Sequence, residues 1–294
     1  FTGASGFLGN NVKPLLEKNY IITTVGLTDS DDYGVNIAKE VPSFTDSFDI
    51  VLHAAGKAHV VPKTEEEKQA FFDVNYQGTV NLCSALERLE LPKALIFIST
   101  VAVYGLDFGS DITEDYPLNG DTPYAKSKIM AEEFLTEWCS EHDVKLGIIR
   151  PSLIAGPNPP GNLGSMIKGI KTGAYLSINK GRAKKSVLMV QDIARLIPLL
   201  AKKGGTYNVC DSYNPSFGEL EEVISKQLDK KRPVSVPYWV AKCFALVGDC
   251  LGSKAPINSL KLDKIVKPLT FSNEKAKKEL EWKPLEVLSN FNIR

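Results

Sequence analysis

Histidine is scarce in this sequence: His53, His59 and His142 are the only 3 in 294 residues. With so few imidazoles and no paired cysteines, a zinc centre is not expected. The 5 cysteines, Cys83, Cys139, Cys210, Cys243 and Cys250, are scattered and contain no C-x-x-C pair. Reduced thiols of a cytoplasmic protein are expected rather than a disulfide framework. Excess charge is also missing, since Lys and Arg number 35 and Asp and Glu number 35. That argues against a sequence-independent nucleic-acid binder, which needs surplus positive charge. No apolar run has membrane-spanning length. The most apolar stretch, residues 234–251, is broken by Pro237, Lys242 and Asp249 and is expected to be a buried helix. No signal-peptide pattern opens the chain. It starts at Phe1-Thr2-Gly3, which reads as the end of a strand, so a few apolar residues are expected before Phe1.

What is present is an ordinary globular composition, 43% hydrophobic and 24% charged, in a chain long enough to bury a core without staples. Apolar runs at residues 21–25, 50–53, 95–99 and 146–149 read as strands covered on both faces. Between them Val74, Gly78, Leu82, Ala85, Leu86 and Leu89, and later Met130, Phe134, Leu135 and Trp138, recur at helical spacing. This alternation predicts an α/β fold with a Rossmann-type doubly wound parallel sheet. The rhythm changes after Arg150-Pro151, at the Gly- and Pro-rich loop 156–162. Residues 1–155 are therefore assigned to one domain, which the glycine motif below makes the dinucleotide-binding one, and 156–294 mainly to a smaller, partly interleaved substrate-binding region. Within the latter, residues 187–190 and 206–209 read as strands, and 165–172, a segment from Asp192, and 217–228 as helices. The stretch 187–209 can return to the main sheet.

The chemistry-bearing motifs begin with Thr2-Gly3-Ala4-Ser5-Gly6-Phe7-Leu8-Gly9, which sets G-x-x-G-x-x-G between a strand end and a helix start. Glycines there let backbone N–H groups approach a pyrophosphate at the helix N-terminus. The next strand ends in Val25-Gly26-Leu27-Thr28, with neither an acid for a ribose hydroxyl nor an Arg for a 2′-phosphate at its tip. Asp29, Asp31 and Asp32 follow slightly later, so the choice between NAD and NADP stays open. Tyr124 and Lys128 stand at i, i+4 and share a helix face. A phenol with a pKa near ~10 is a poor base at neutral pH, and a neighbouring ammonium lowers it. Ser99-Thr100 closes an apolar strand, at the end of the sheet where such folds bind ligands.

With His53-Ala54-Ala55-Gly56, Val74-Asn75-x-x-Gly78-Thr79, Ser99-Thr100-x-x-Val103-Tyr104-Gly105, Arg150-Pro151, Gly156-Pro157 and Leu280-Glu281-Trp282-x-Pro284, these motifs follow one another in a familiar order. From Thr2 to about Pro284 the chain resembles the extended short-chain dehydrogenase/reductases, specifically the NAD-dependent epimerase/dehydratase family acting on nucleotide sugars. The resemblance implies that Gly3, Ser5, Gly6, Phe7 and Leu8 cradle the pyrophosphate of NAD or NADP. It places Asn36 and Ile37 near adenine, and Ala54, Ala55, Gly56, Asn75, Ser99 and Pro151 along the cofactor cleft. Tyr124 would be the general acid/base, Lys128 would hold the nicotinamide ribose and lower the Tyr124 pKa, and Thr100, with Ser99 second, would be the catalytic hydroxyl.

Toward the substrate the same resemblance implies Asn162 for the nucleotide and Lys185 for the diphosphate, with Arg182 as the alternative donor. His59 would face the sugar, while His53 reads as a satisfied buried histidine. Val101-Ala102 replaces the Asp-Glu of the family's 4,6-dehydratases, and two apolar side chains transfer no protons. What remains is a nucleotide-sugar epimerase working at C4 through a transient keto intermediate, or an NADPH-dependent 4-keto-reductase. A non-catalytic redox sensor is a third reading, weakened by the presence of both Tyr124 and Lys128. No metal, nucleic acid or membrane partner is expected. A homodimer through a four-helix bundle of segments 79–89 and 124–138 is.

Overall fold

The computed structural model describes residues 1–251 and 258–293. Its strands are β1 (Val25–Gly26), β2 (Tyr33–Gly34), β3 (Ile50–His53), β4 (Ala94–Ile98), β5 (Gly109–Ile112), β6 (Lys145–Pro151), β7 (Leu153–Ala155), β8 (Ser177–Ile178), β9 (Val187–Met189), β10 (Gly205–Val209), β11 (Ser235–Val236) and β12 (Leu269–Phe271). Its α-helices are α1 (Phe7–Leu16), α2 (Glu65–Phe72), α3 (Gly78–Leu86), α4 (Pro123–Glu141), α5 (Gly161–Thr172), α6 (Val190–Lys203), α7 (Phe217–Gln227), α8 (Tyr238–Leu251), α9 (Ser259–Val266), α10 (Glu274–Leu280) and α11 (Val287–Asn290).

The central sheet is parallel, in the order β10-β6-β4-β3. Thr2 extends it, bridging in parallel to His53 on one side and to Val25 on the other, and β1 pairs with β2. Strand succession thus runs outward in both directions from Thr2 and β3. A doubly wound sheet opens its ligand crevice at that reversal. Along β4 the side chains alternate between two cores. Ile96 and Ile98 pack with Val12 and Leu16 of α1 and Ile193, Leu196 and Leu200 of α6. Leu95 and Phe97 pack with Leu82 and Leu86 of α3 and Leu135 and Trp138 of α4. Burying each such side chain contributes about 1.5–3 kcal/mol, and this two-sided clamp holds the strand ends that carry the site.

Around β7 and β9, a separate parallel pair, α5, α7 and α11 gather a further core from Leu163, Met166, Ile170, Leu220, Ile224 and Phe291. β10 lies beside β6 in the main sheet, so the chain crosses back after β9.

Two expectations are corrected. The strand expected at 21–25 is realised only at Val25–Gly26, and Ile21 is fully exposed. The backbone beside that segment is Phe1 and Thr2, and a cavity of about 710 Å³ lies between Ile22, Ile50 and Leu52. The apolar stretch 234–251 does form a helix, α8, but not a buried one. Its inward residues are the small Ala241, Ala245 and Gly248, while Trp239, Phe244 and Val247 are more than 60% exposed.

Candidate active site

The glycine loop is built for close approach. Gly3 has φ +76°, and a Cβ there would stand 2.7 Å from the Ala55 nitrogen. A Cβ on Gly9 would collide with the Ala4 carbonyl at 2.2 Å. Only glycine lets the turn touch both the strand after His53 and its own helix. Gly6 caps α1 without a side-chain hydrogen bond, so the first-turn N–H groups at Phe7 and Leu8 keep their hydrogens for an anion. Ser5 sits in the loop, its carbonyl accepting from Asn10 Nδ2 at 3.0 Å. The loop therefore fits the pyrophosphate of a dinucleotide. Across the crevice the Thr2 hydroxyl accepts from Ala55 N at 3.1 Å, and Ala54 N donates to the Thr2 carbonyl. Asn36 Oδ1 accepts from Ala38 N, and Ile37 packs under Gly78 with its carbonyl taken by Asn81 Nδ2.

The catalytic candidates converge from two elements, the end of β4 and helix α4. Thr122 caps α4 through Ala125 N at 3.1 Å, with Pro123 in the first turn, and this fixes the start of the helix one residue before Tyr124. The Tyr124 phenol hydrogen-bonds Thr100, and its ring packs against Phe71 at 6.2 Å. Burial pushes the phenol above its ordinary pKa, with the Thr100 hydrogen bond opposing. Lys128 is buried one turn on. Its ammonium donates to the Ile98 carbonyl at 2.8 Å and lies 4.5 Å from the Phe97 ring centre. Burial lowers its pKa to about 8, against the pull of Glu132. A Cβ on Gly56 would sit 3.1 Å from Asn75 Oδ1 and 3.2 Å from Lys128 Nζ. Gly56, Asn75 and Lys128 thus form one wall.

Asn75 lies in a π-helical turn, Asp73–Gln77, between α2 and α3. Such bulges cluster at functional sites. Its amide is fully used, accepting from Lys57 N at 2.7 Å and donating to the Lys57 carbonyl and to Ser127 Oγ at 2.9 Å. Pro151 is buried at the end of β6. His53 is the satisfied histidine expected, held between Thr2 at 2.6 Å and Thr79 at 2.9 Å.

Two candidates, Ser99 and Lys185, stand differently from the sequence expectation. The Ser99 hydroxyl donates to Glu132, so it is turned away from Tyr124 and into a buried network with Arg150, Tyr104 and Asn208. Thr100, the first candidate for the catalytic hydroxyl, is the one that meets the Tyr124 phenol. Lys185 is buried and gives its ammonium to the carbonyls of Lys264 and Lys267, both at 3.0 Å. The reason is alternation: bridges to Ser216 and Leu269 make the segment extended, so Arg182 and Lys184 point out and Lys185 in. Of the basic run, Arg182 and Lys184 are exposed, and Lys184 lies 5.9 Å from the Tyr213 ring centre. His59, with φ 60°, packs its ring beside Gly161 at the start of α5, and Asn162 stands exposed next to it.

Glu132 was missed, and Asp31, named only within a group of later loop acids, stands closer to the strand end than its place in the sequence suggested. Glu132 extends the Tyr124–Lys128 face by one more i+4 step, a spacing visible in the sequence. Asp31 folds back over the end of β1, where a Cβ on Gly26 would meet its carboxylate at 2.4 Å, and Thr28 N and Oγ1 donate to it. An acid therefore does stand at that strand end, delivered from beyond it.

A doubly wound sheet with a glycine loop at its reversal, a Thr just beyond β4 and a Tyr–Lys pair on α4 defines an NAD(P)-dependent dehydrogenase-type enzyme. Residues 1–210 match the model of the NAD dependent epimerase/dehydratase family, and the chain belongs to that family, within the extended short-chain dehydrogenase/reductases. Over 93% of this chain and 86% of the relative, it is 30% identical to the N-acetyl-alpha-D-glucosaminyl-diphospho-ditrans,octacis-undecaprenol 4-epimerase of Escherichia coli O157:H7. It is 29% identical to the UDP-glucose 4-epimerase of Vibrio cholerae, over 98% of this chain and 90% of that one. The UDP-glucose 4-epimerase of Thermotoga maritima, solved with UDP-glucose, shares the fold with a TM-score of 0.74 at 20% identity, covering 98% of this chain and 94% of that one.

Proposed function

We propose that this enzyme epimerises C4 of a hexose carried on a diphosphate, through a transient 4-keto sugar. The observation that carries the reading is the convergence of Thr100, Tyr124 and Lys128 beside a glycine loop shaped for a dinucleotide, with apolar Val101 and Ala102 where a dehydratase needs proton carriers. Tyr124 takes the proton of the C4 hydroxyl and returns it after the keto sugar has presented its other face. Thr100 holds the same oxygen. Lys128, once turned from the Ile98 carbonyl to the ribose, brings its positive charge toward the phenol and offsets the burial that raises its pKa. The bound dinucleotide supplies the acceptor and donor of the C4 hydride. Gly3 to Leu8, Asn36, Ile37, Ala54 to Gly56, Asn75 and Pro151 hold it.

Residues 1–155 form the cofactor part and 156–294 mainly the substrate part, whose Asn162 and Arg182 meet the nucleotide or diphosphate end, while His59 faces the sugar. The relatives named above act on sugars joined either to a nucleotide or to a polyprenol, and the diphosphate is common to both. A homodimer through α3 and α4, in the cytoplasm, completes the proposal. The test is turnover of C4-epimeric sugar diphosphates by purified protein without added reductant. An epimerase interconverts them on the cofactor it retains. Consumption of NADPH in step with product makes it a 4-keto-reductase. Tyr124→Phe should lower turnover about 10²- to 10⁴-fold while cofactor binding persists; undiminished turnover removes Tyr124 from the chemistry.

A further inference from the structure

Helix α8 is amphipathic in an unusual sense. Ala241 and Ala245 pack it against Leu262 and Val266 of α9, and Gly248 is buried one turn on, so among the described residues its buried side chains are small. On the outer face Trp239, Cys243 and Val247 follow at i, i+4, i+8, with Phe244 alongside and Leu260 of α9 70% exposed. Large side chains outside and small ones inside reverse the arrangement of a helix made for a protein core.

Charge adds an independent observation. Between Lys230 and Lys267 the sequence carries eight Lys and Arg against two acids, in a chain whose formal net charge is zero. Both acids are engaged internally, Asp249 by the Ser259 backbone and hydroxyl and Asp263 by Lys267. Lys264 pairs with Asp107 and Arg232 with Glu222, and the exposed Asp229 precedes Lys230, while Lys230, Lys231 and Lys242 are exposed. Aromatic and aliphatic side chains within a basic field are what a helix lying in the headgroup region of an anionic membrane presents.

The patch is also tied to the site. Lys185 pins the end of α9 through the Lys264 and Lys267 carbonyls, and α9 packs on the turn Asn179–Gly181 that leads into Arg182. The apolar face and the exposed Arg182 therefore belong to one unit. No helix among the described residues is long and apolar enough to cross a membrane.

We propose that the α8–α9 face docks on an anionic lipid surface, so that the sugar diphosphate entering this site is carried on a membrane-embedded prenyl chain rather than on a nucleotide. This rests on the reading of the site as one for diphosphate-linked sugars. The test is flotation of the full-length protein with phosphatidylcholine vesicles, with and without phosphatidylglycerol. The wild type floats with the anionic vesicles at low salt. Replacing Trp239→Ser, Phe244→Ser and Val247→Ser together reduces that binding at least about tenfold.

The triple variant turns over a sugar diphosphate on a short, water-soluble prenyl chain as the wild type does, but loses turnover of the long-chain substrate held in vesicles. Wild-type protein that floats with no vesicle overturns the proposal. So does a triple variant of smaller particle mass than a non-floating wild type, because a second copy then covers the face. Flotation with turnover of UDP-sugars alone overturns the lipid-linked substrate. Flotation with turnover of no sugar diphosphate overturns the reading of the cleft instead and leaves the lipid contact standing.

Discussion

Arg182 and Lys185 sit three residues apart in one basic run, yet the chain gives them opposite work. Lys185 is spent on the carbonyls at the end of α9, and burial holds its ammonium at a pKa of about 8. Arg182 is exposed beside the turn that leads into the run. Arg182→Ala should therefore raise KM for a sugar diphosphate by roughly 10- to 150-fold, the equivalent of about 1.5–3 kcal/mol for a charge-assisted phosphate contact. Lys185→Ala should leave KM nearly unchanged and instead lower stability by about 1–3 kcal/mol, because two carbonyls lose their donor. Steady-state kinetics and thermal melts on the two variants separate these roles; a KM effect confined to Lys185→Ala would reverse the assignment. Asp31 supports a second expectation at this scale. Its carboxylate over Gly26 can accept from a ribose 2′-hydroxyl and repels a 2′-phosphate. Asp31→Ala should shift the ratio of affinities from NAD toward NADP, read by titration with each dinucleotide; an unchanged ratio would place the acid outside the cofactor site.

Among elements, α4 joins the chemistry to the core. Tyr124, Lys128 and Glu132 run down one face at i, i+4, i+8, and Glu132 binds Arg150 of β6 at 2.6 Å while opposing the desolvation of Lys128. Glu132→Gln removes the charge that favours the Lys128 ammonium, so its pKa falls further below about 8. The high-pH loss of kcat/KM should then begin at lower pH, and breaking the buried pair should cost about 3–5 kcal/mol. A destabilised variant with an unmoved pH profile would make Glu132 purely structural. The i+4 spacing made the Tyr124–Lys128 face legible in the sequence, as continuous apolar runs did for β3, β4 and β6. Other features were not. The π-helical turn that places Asn75 has no periodicity of its own. The inward turn of Lys185 depends on bridges to Ser216 and Leu269 that lie far off in sequence. Apolar content in α8 was read as burial, although the small size of Ala241, Ala245 and Gly248 already marked which face is the inner one.

Over the whole molecule, His53 ties the halves of the sheet together. It is fully buried between Thr2 before the glycine loop and Thr79 of α3, and stacks on Phe97 of β4 at 5.5 Å. Burial first, and the nearby Lys128 charge second, lower its pKa to about 3. The native state therefore keeps the ring neutral, while the unfolded chain takes a proton below about 6.5. The sign follows: this contribution is fully present above pH ~6.5 and is lost as pH falls, by about 1.4 kcal/mol per unit, until the folded pKa is reached. Asp192, Glu114 and Glu221, whose pKa values burial raises, bind protons more readily in the native state and work in the opposite direction. A variant is needed to isolate the histidine. His53→Gln keeps a donor and an acceptor between Thr2 and Thr79 but does not titrate. Urea unfolding between pH ~7 and pH ~4 should show the wild type losing stability more steeply than His53→Gln, by about 1.4 kcal/mol per unit. Parallel curves would mean that the acid sensitivity of the fold lies elsewhere than in this histidine.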